Sequence, residues 1–127
     1  VGTLVREITS AEELRNPGVV KVVRDLRGRA LYFSRSIIPY GRDLSGDDLL
    51  LHHVFYKHIG LYVFRRHFLL RLPQMAQTPL EQAEKLEQLR ILEHGFAITA
   101  TITRHDSIPV DTQDDLERVR QLERTVP

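Results

Sequence analysis

The chain predicts an α/β fold, a mixed sheet with flanking helices, and three observations carry that expectation. Strand-like runs alternate with helical ones along the sequence. Helix ends are marked by capping residues, most clearly at Thr78 and Gly95. One run, 96–103, sets Phe96, Ile98, Ala100 and Ile102 against Ala97, Thr99, Thr101 and Thr103, the period-two pattern of a strand with one apolar face. The 127 residues suit one domain, 1–127, large enough for a real hydrophobic core.

Taken in order, residues 3–8 read as an edge strand. Ser10 and Glu13 form a capping box for a short helix, which Asn16-Pro-Gly18 must stop. Residues 19–23 are β-branched and apolar apart from Lys21, residues 25–28 carry turn chemistry, and 30–34 read as the returning strand of a hairpin. Residues 39–57 hold Pro39, Gly41, Gly46 and several aspartates, which predicts a mobile loop. Residues 59–64 form a strand by composition, and 68–72 a short helix ended by Pro73. Residues 78–93 are the clearest helix: Thr78 caps it, Pro79 takes the first position, Glu81 closes the box, and Gly95 supplies a left-handed end. Thr112 caps a last helix that ends near Arg124.

Composition excludes several function classes. Apolar residues make up 42% and charged residues 28%, the balance of an ordinary globular protein. A net charge of +1, with no long run of one sign, gives no support for nucleic-acid or membrane-surface binding. With zero cysteines there is neither a disulfide framework nor a thiolate metal site, in keeping with a reducing compartment. No apolar run approaches the ~18 residues needed to span a bilayer, and no signal peptide opens the chain. The first residue is Val1 and the only methionine is Met75, so a piece of something longer is expected.

A few polar groups sit awkwardly among apolar neighbours. Helical spacing puts Glu87 in one column with Ala83 and Ile91, and a carboxylate there needs a partner or a ligand. Gln88 lies next round and could share the same edge. From periodicity alone the plainer account is favoured: Glu87 pairs with a basic residue of the core or edges into solvent. Period two puts His58, Gly60, Tyr62 and Phe64 on one strand face, where Gly60 leaves room for a polyhydroxylated ligand; a glycine bulge is the competing account. Arg35 leads from a strand into a loop, a place to present a bidentate donor or to form a surface ion pair. Asp111 follows Ile108-Pro-Val110 at a strand-to-helix junction, where one carboxylate can hold Mg²⁺ if phosphates supply other ligands, or simply cap the helix. His52 and His53 are adjacent and point apart, so with Asp47 and Asp48 they make no recognisable metal spacing.

Four stretches are more specific together than any residue alone: Arg29-Ala-Leu-Tyr-Phe-Ser-Arg35, His58-Ile-Gly-Leu-Tyr-Val-Phe-Arg65, Thr78-Pro-Leu-Glu-Gln-Ala-Glu-Lys-Leu-Glu-Gln-Leu-Arg90 and Val110-Asp-Thr-Gln-Asp-Asp-Leu-Glu-Arg-Val-Arg120. In this order they resemble the carboxyl-terminal half of the CMP-Kdo synthetases (3-deoxy-manno-octulosonate cytidylyltransferases). The resemblance implies the second half of a Rossmann-like nucleotidyltransferase fold. It also implies transfer of CMP from CTP to the eight-carbon sugar acid Kdo, with release of pyrophosphate, use of Mg²⁺, a homodimer, and a cytoplasmic place in lipopolysaccharide synthesis. Carried over by position, Arg35, His58, Tyr62, Glu87 and Gln88 are expected sugar-acid contacts, and Asp111 the expected metal ligand and catalytic carboxylate. Nothing here matches the family's glycine- and arginine-rich triphosphate loop or its first metal aspartate. Activity is therefore expected only with the other half; the alternative is a non-catalytic interaction or dimerisation module derived from the same enzyme.

Overall fold

A computed structural model describes residues 1–44, 48–107, 110 and 113–123. Its elements in chain order are β1 (Gly2–Glu7), α1 (Ala11–Arg15), β2 (Lys21–Arg24), β3 (Ala30–Ser34), α2 (Asp48–His52), β4 (Tyr56–Val63) and α3 (Arg66–Arg71). A 3-10 turn (Leu72–Gln74), α4 (Pro79–Glu84), α5 (Gln88–Glu93), β5 (Thr99–Ile102) and α6 (Gln113–Glu123) follow.

Among the described residues the strands form one mixed sheet of order β3-β2-β4-β1-β5. The β1–β5 pair is parallel; β1–β4, β2–β4 and β2–β3 are antiparallel. The α/β expectation holds. The edge placement of the first strand does not: β1 is flanked on both sides, with Val5 opposite His58 on one neighbour and Ile102 on the other. Both partners are remote in sequence, so nothing local to β1 distinguishes an inner strand from an outer one.

The β2–β3 hairpin forms as its turn chemistry requires. Asp25 Oδ1 accepts the N–H groups of Arg27 (2.9 Å) and Arg29 (2.8 Å), and Gly28 sits at φ +80°. The segment expected to be a loop instead carries α2, and β4 begins earlier than composition suggested, at Tyr56.

One sheet face carries the main core. Val5, Phe33, Leu89, Ile98 and Ala100 are inaccessible to solvent and pack with Val22, Phe68, Leu86 and Ile91. A smaller cluster of Ile8, Leu14 and Phe55 is closed by Val19, Ile37, Leu49 and Leu50, which gives α1 and α2 their anchorage. The expected strand at 96–103 is regular only over β5, where Ala100 is buried and Ile102 is half exposed.

The largest departure concerns the helix expected over 78–93. Lys85 adopts a left-handed conformation (φ 56°, ψ 47°) and divides it into α4 and α5. Its ends follow the sequence: Glu81 accepts the Thr78 N–H at 3.3 Å, and Gly95 at φ +81° lets the Phe96 N–H reach the Ile91 carbonyl at 3.0 Å. No glycine or proline marks the break. Tertiary contacts impose it: Glu84 is drawn to β3 while Leu86 turns into the core.

Candidate functional site

The site is built on an irregularity in β4. Leu4 pairs with Ile59 and Thr3 with Tyr62, so Gly60 and Leu61 are extra residues without partners on β1. An added Cβ at Gly60 would meet nothing within 4 Å, so the strand is open there. Despite the bulge, the rings of His58 and Tyr62 lie 5.2 Å apart, and Tyr62 stacks on Phe64 at 5.7 Å. Phe33 closes the row at one end, 5.2 Å from His58, and Phe68 extends it at the other. These contacts fix the rings at about 0.5–1.5 kcal/mol per pair.

Beside that row the α4–α5 break opens a cavity of about 480 Å³. Tyr62 and Phe64 form one wall; Lys85, Glu87, Gln88 and Arg90 line the other, and Leu72 and Ile91 contribute apolar surface. The helical column expected to bury Glu87 with Ala83 and Ile91 does not exist, because the helix is broken between them. Glu87 instead stands at the start of α5, exposed, while Ala83 is exposed and Ile91 buried. Gln88 is buried in the first turn of α5. Thus Tyr62, Glu87 and Gln88 meet at one cavity, with His58 one ring further along the row.

Burial sets the protonation states in this row. It holds the His58 imidazole down at about 4, so the ring is neutral near neutral pH. Burial and then the Glu87 charge push the Tyr62 phenol far above its ordinary range, so its hydroxyl remains a proton donor. Arg90 grips the buried Glu81 carboxylate with two N–H groups, the Nε bond being 2.8 Å, and this holds Glu81 below the usual carboxylate range. That pair fixes α4 to α5 across the break.

Arg35 and Asp111 stand apart from this arrangement. The Arg35 guanidinium donates to the carbonyls of Glu84 (2.9 Å) and Pro17 (3.1 Å) and does not line the cavity. Its backbone N–H donates to Glu84 Oε2 at 3.0 Å, and Ser34 Oγ donates to Oε1 at 2.6 Å. Burial raises the Glu84 carboxyl, but these donors outweigh it and keep the group ionised. Asp111 lies outside the described residues.

Sequence reasoning gave no role to Thr3, Lys85 or Glu84. Arg90 was visible in the Leu-Glu-Gln-Leu-Arg stretch, but that it and Lys85 line one cavity with Tyr62 was not. Thr3 has no sequence signal at all, since its partners on β4 are more than fifty residues away.

This sheet, with a mainly apolar cavity edged by Lys85, Glu87, Gln88 and Arg90 between a bulged inner strand and a broken helix, is shared with a defined class of proteins. Residues 1–120 match the cytidylyltransferase family, and the chain belongs to it. More particularly, it is 52% identical to the 3-deoxy-manno-octulosonate cytidylyltransferase of Geobacter metallireducens, over 94% of this chain and 49% of that protein. With the enzyme of the same description from Nitrosococcus oceani the identity is 50%, over 96% of this chain and 49% of the relative. A solved structure of CMP:2-keto-3-deoxy-manno-octonic acid synthetase complexed with CTP superposes with a TM-score of 0.84 at 41% identity, over 97% of this chain and 48% of that one. The chain spans about half the length of the curated relatives it matches.

Proposed function

We propose that this chain is the sugar-acid half of a cytidylyltransferase that moves CMP from CTP onto Kdo and releases pyrophosphate, within lipopolysaccharide synthesis. One observation carries the proposal beyond family membership: Tyr62, Glu87 and Gln88, from β4 and from a helix some twenty-five residues later, line one cavity beside the His58 ring. A polyol needs such a mixed wall. The Tyr62 hydroxyl donates, Glu87 accepts, Gln88 does both, and the apolar residues exclude water.

In-line attack by a sugar hydroxyl on the α-phosphorus is mainly a positioning problem. In this proposal Glu87 accepts from a hydroxyl, and Tyr62 and Gln88 hold its neighbours, so that the attacking oxygen faces the nucleotide. The nucleotide is bound chiefly by the half of the protein beyond these residues. No covalent intermediate on the protein is required. Arg35 enters as a support: it closes β3 onto α4 through Glu84 and so sets the cavity wall, and of its five guanidinium N–H groups only two are used on Glu84 and Pro17, which is compatible with a direct contact of the others to the sugar carboxylate.

Mg²⁺ is part of the proposal. Among the described residues no three His, Asp or Glu side chains are gathered to hold a metal. The ion would be held by Asp111 and the phosphates of CTP, in keeping with its preference for few protein carboxylates, and would offset charge on the phosphoryl oxygens. A homodimer and a cytoplasmic site complete the proposal. Among the described residues no helix is long and apolar enough to cross a membrane.

The test is reconstitution. The chain joined to a nucleotide-binding half from a relative is supplied with CTP, Kdo and Mg²⁺, and pyrophosphate is measured. Release that requires Kdo, and that Asp111→Asn abolishes while leaving the circular dichroism unchanged, is the expected result. A folded, CTP-binding assembly that releases none would overturn the proposal in favour of a non-catalytic module.

A further inference from the structure

The bulge in β4 leaves an unusual hydrogen-bond problem at Thr3. The residue is buried, and its hydroxyl oxygen lies 2.8 Å from the Leu61 carbonyl, 3.3 Å from the Ile59 carbonyl and 2.8 Å from His58 Nε2. A threonine hydroxyl has one proton, and a carbonyl oxygen can only accept. The proton is therefore spent on the bulge, the Leu61 carbonyl being the nearer acceptor. What Thr3 Oγ1 then offers His58 is a lone pair. A hydroxyl proton turned to the imidazole instead would leave both carbonyl oxygens facing the hydroxyl oxygen with no proton between them, the less favourable arrangement.

We infer that Thr3 is a positioning residue that holds neutral His58 as the Nε2–H tautomer, so that Nδ1 presents an unprotonated lone pair to a hydroxyl of the bound sugar acid. The inference deepens the proposed function and rests on it for the identity of the ligand. Three features support it. His58 is half-buried and not sealed in the core, and it also borders a second cavity of about 270 Å³ beside the open strand at Gly60. Burial keeps the ring neutral, leaving one nitrogen as an acceptor. The flanking rings of Phe33 and Tyr62 restrict the imidazole's orientation. His58 then accepts where Tyr62 donates, two complementary roles on adjacent rungs of the aromatic row. The tautomer follows from a hydrogen bond at the far nitrogen, as in other histidine sites oriented from behind.

Long-range proton–nitrogen correlation NMR on the chain, with isotope-labelled histidine at neutral pH, reads the tautomer directly. The expected result is a protonated Nε2 and a bare Nδ1 in the parent chain and in Thr3→Ser, and a tautomer mixture in Thr3→Val. A protonated Nδ1 in the parent overturns the inference, as does a Thr3→Val spectrum like the parent's. Should Thr3→Val fail to fold, the parent and Thr3→Ser spectra decide the matter. In the reconstituted enzyme, Thr3→Val should raise the KM for Kdo roughly three- to tenfold, the worth of one neutral hydrogen bond, with Thr3→Ser restoring it. An unchanged KM overturns the sugar contact. The NMR result does not depend on turnover, so a correct tautomer in an inactive assembly would sink the proposed function and leave the Thr3–His58 relation standing.

Discussion

Tyr62 and Glu87 make opposite demands on the cavity they share. Burial, and after it the Glu87 charge, keep the Tyr62 phenol protonated, and the phenol in turn gives an incoming ligand a donor beside an acceptor. Under the proposed function, in the reconstituted assembly, Tyr62→Phe should raise the KM for Kdo about tenfold with a smaller effect on kcat, while Glu87→Gln should lower kcat/KM by about ten- to a hundredfold; steady-state pyrophosphate assays separate the two. Glu87→Gln should also lower the Tyr62 pKa, which ultraviolet titration detects. His58 makes a prediction about stability. Its folded-state value of about 4 lies below the ordinary 6.5, so the unfolded chain binds the extra proton. The neutral-histidine contribution is complete above pH 6.5 and is lost as pH falls towards about 4. At about 1.4 kcal/mol per pH unit over that interval, the loss has an upper bound of about 3–4 kcal/mol. Urea midpoints measured across this window should fall more steeply for the parent than for His58→Gln. Sequence patterning singled out His58 and Tyr62 by their shared strand face and Glu87, with Gln88 beside it, by a helical column that the break at Lys85 abolishes. The Thr3 hydroxyl was invisible because its role is created by a carbonyl that only the bulge exposes.

The break at Lys85 governs the next scale. A lysine in the left-handed region costs about 1 kcal/mol relative to glycine, offset by the greater entropy of glycine in the unfolded chain. Lys85→Gly should leave thermal stability unchanged or raise it by up to about 1 kcal/mol, whereas the β-branched Lys85→Val should lower it by about 1–2 kcal/mol; differential scanning calorimetry checks both. Were the segment one continuous helix, glycine would destabilise it instead, so the sign of the change diagnoses the break. Glu84 supplies the force that holds it. Its carboxylate gathers Ser34, Tyr32 and the Arg35 N–H, and Glu84→Ala should cost about 2–3 kcal/mol by leaving those donors unpaired. Both ends of this helical region were legible from Thr78, Pro79, Glu81 and Gly95. The interruption was not, because Glu84-Lys-Leu86 carries ordinary helix formers, and the conformation is chosen by β3 and the core.

Across the whole molecule, the least legible feature is the order of the sheet. The hairpin of β2 and β3 could be read from Asp25 and Gly28, but the seating of β1 between β4 and β5 joins residues nearly a hundred positions apart. Three further ties are also long-range: Lys57, buried in β4, pairs with Glu13 of α1 and with Asp106, and Arg6 holds Asp106 from 100 positions away. Such long-range closure makes β1 part of the most cooperative unit. The amides of β1 should exchange with solvent only through global unfolding, and those of α2 and its surrounding loop through smaller openings, as native-state hydrogen exchange would show. The aromatic row bears on how such experiments are read out. The protein has no tryptophan and four tyrosines, so near-ultraviolet emission comes from a handful of phenols without a dominant indole background. Of these, Tyr62 alone lines the cavity of about 480 Å³, against the Glu87 carboxylate. A molecule entering there changes the surroundings of one intrinsic fluorophore and leaves the other three as an internal reference, so occupancy can be followed optically with no label attached.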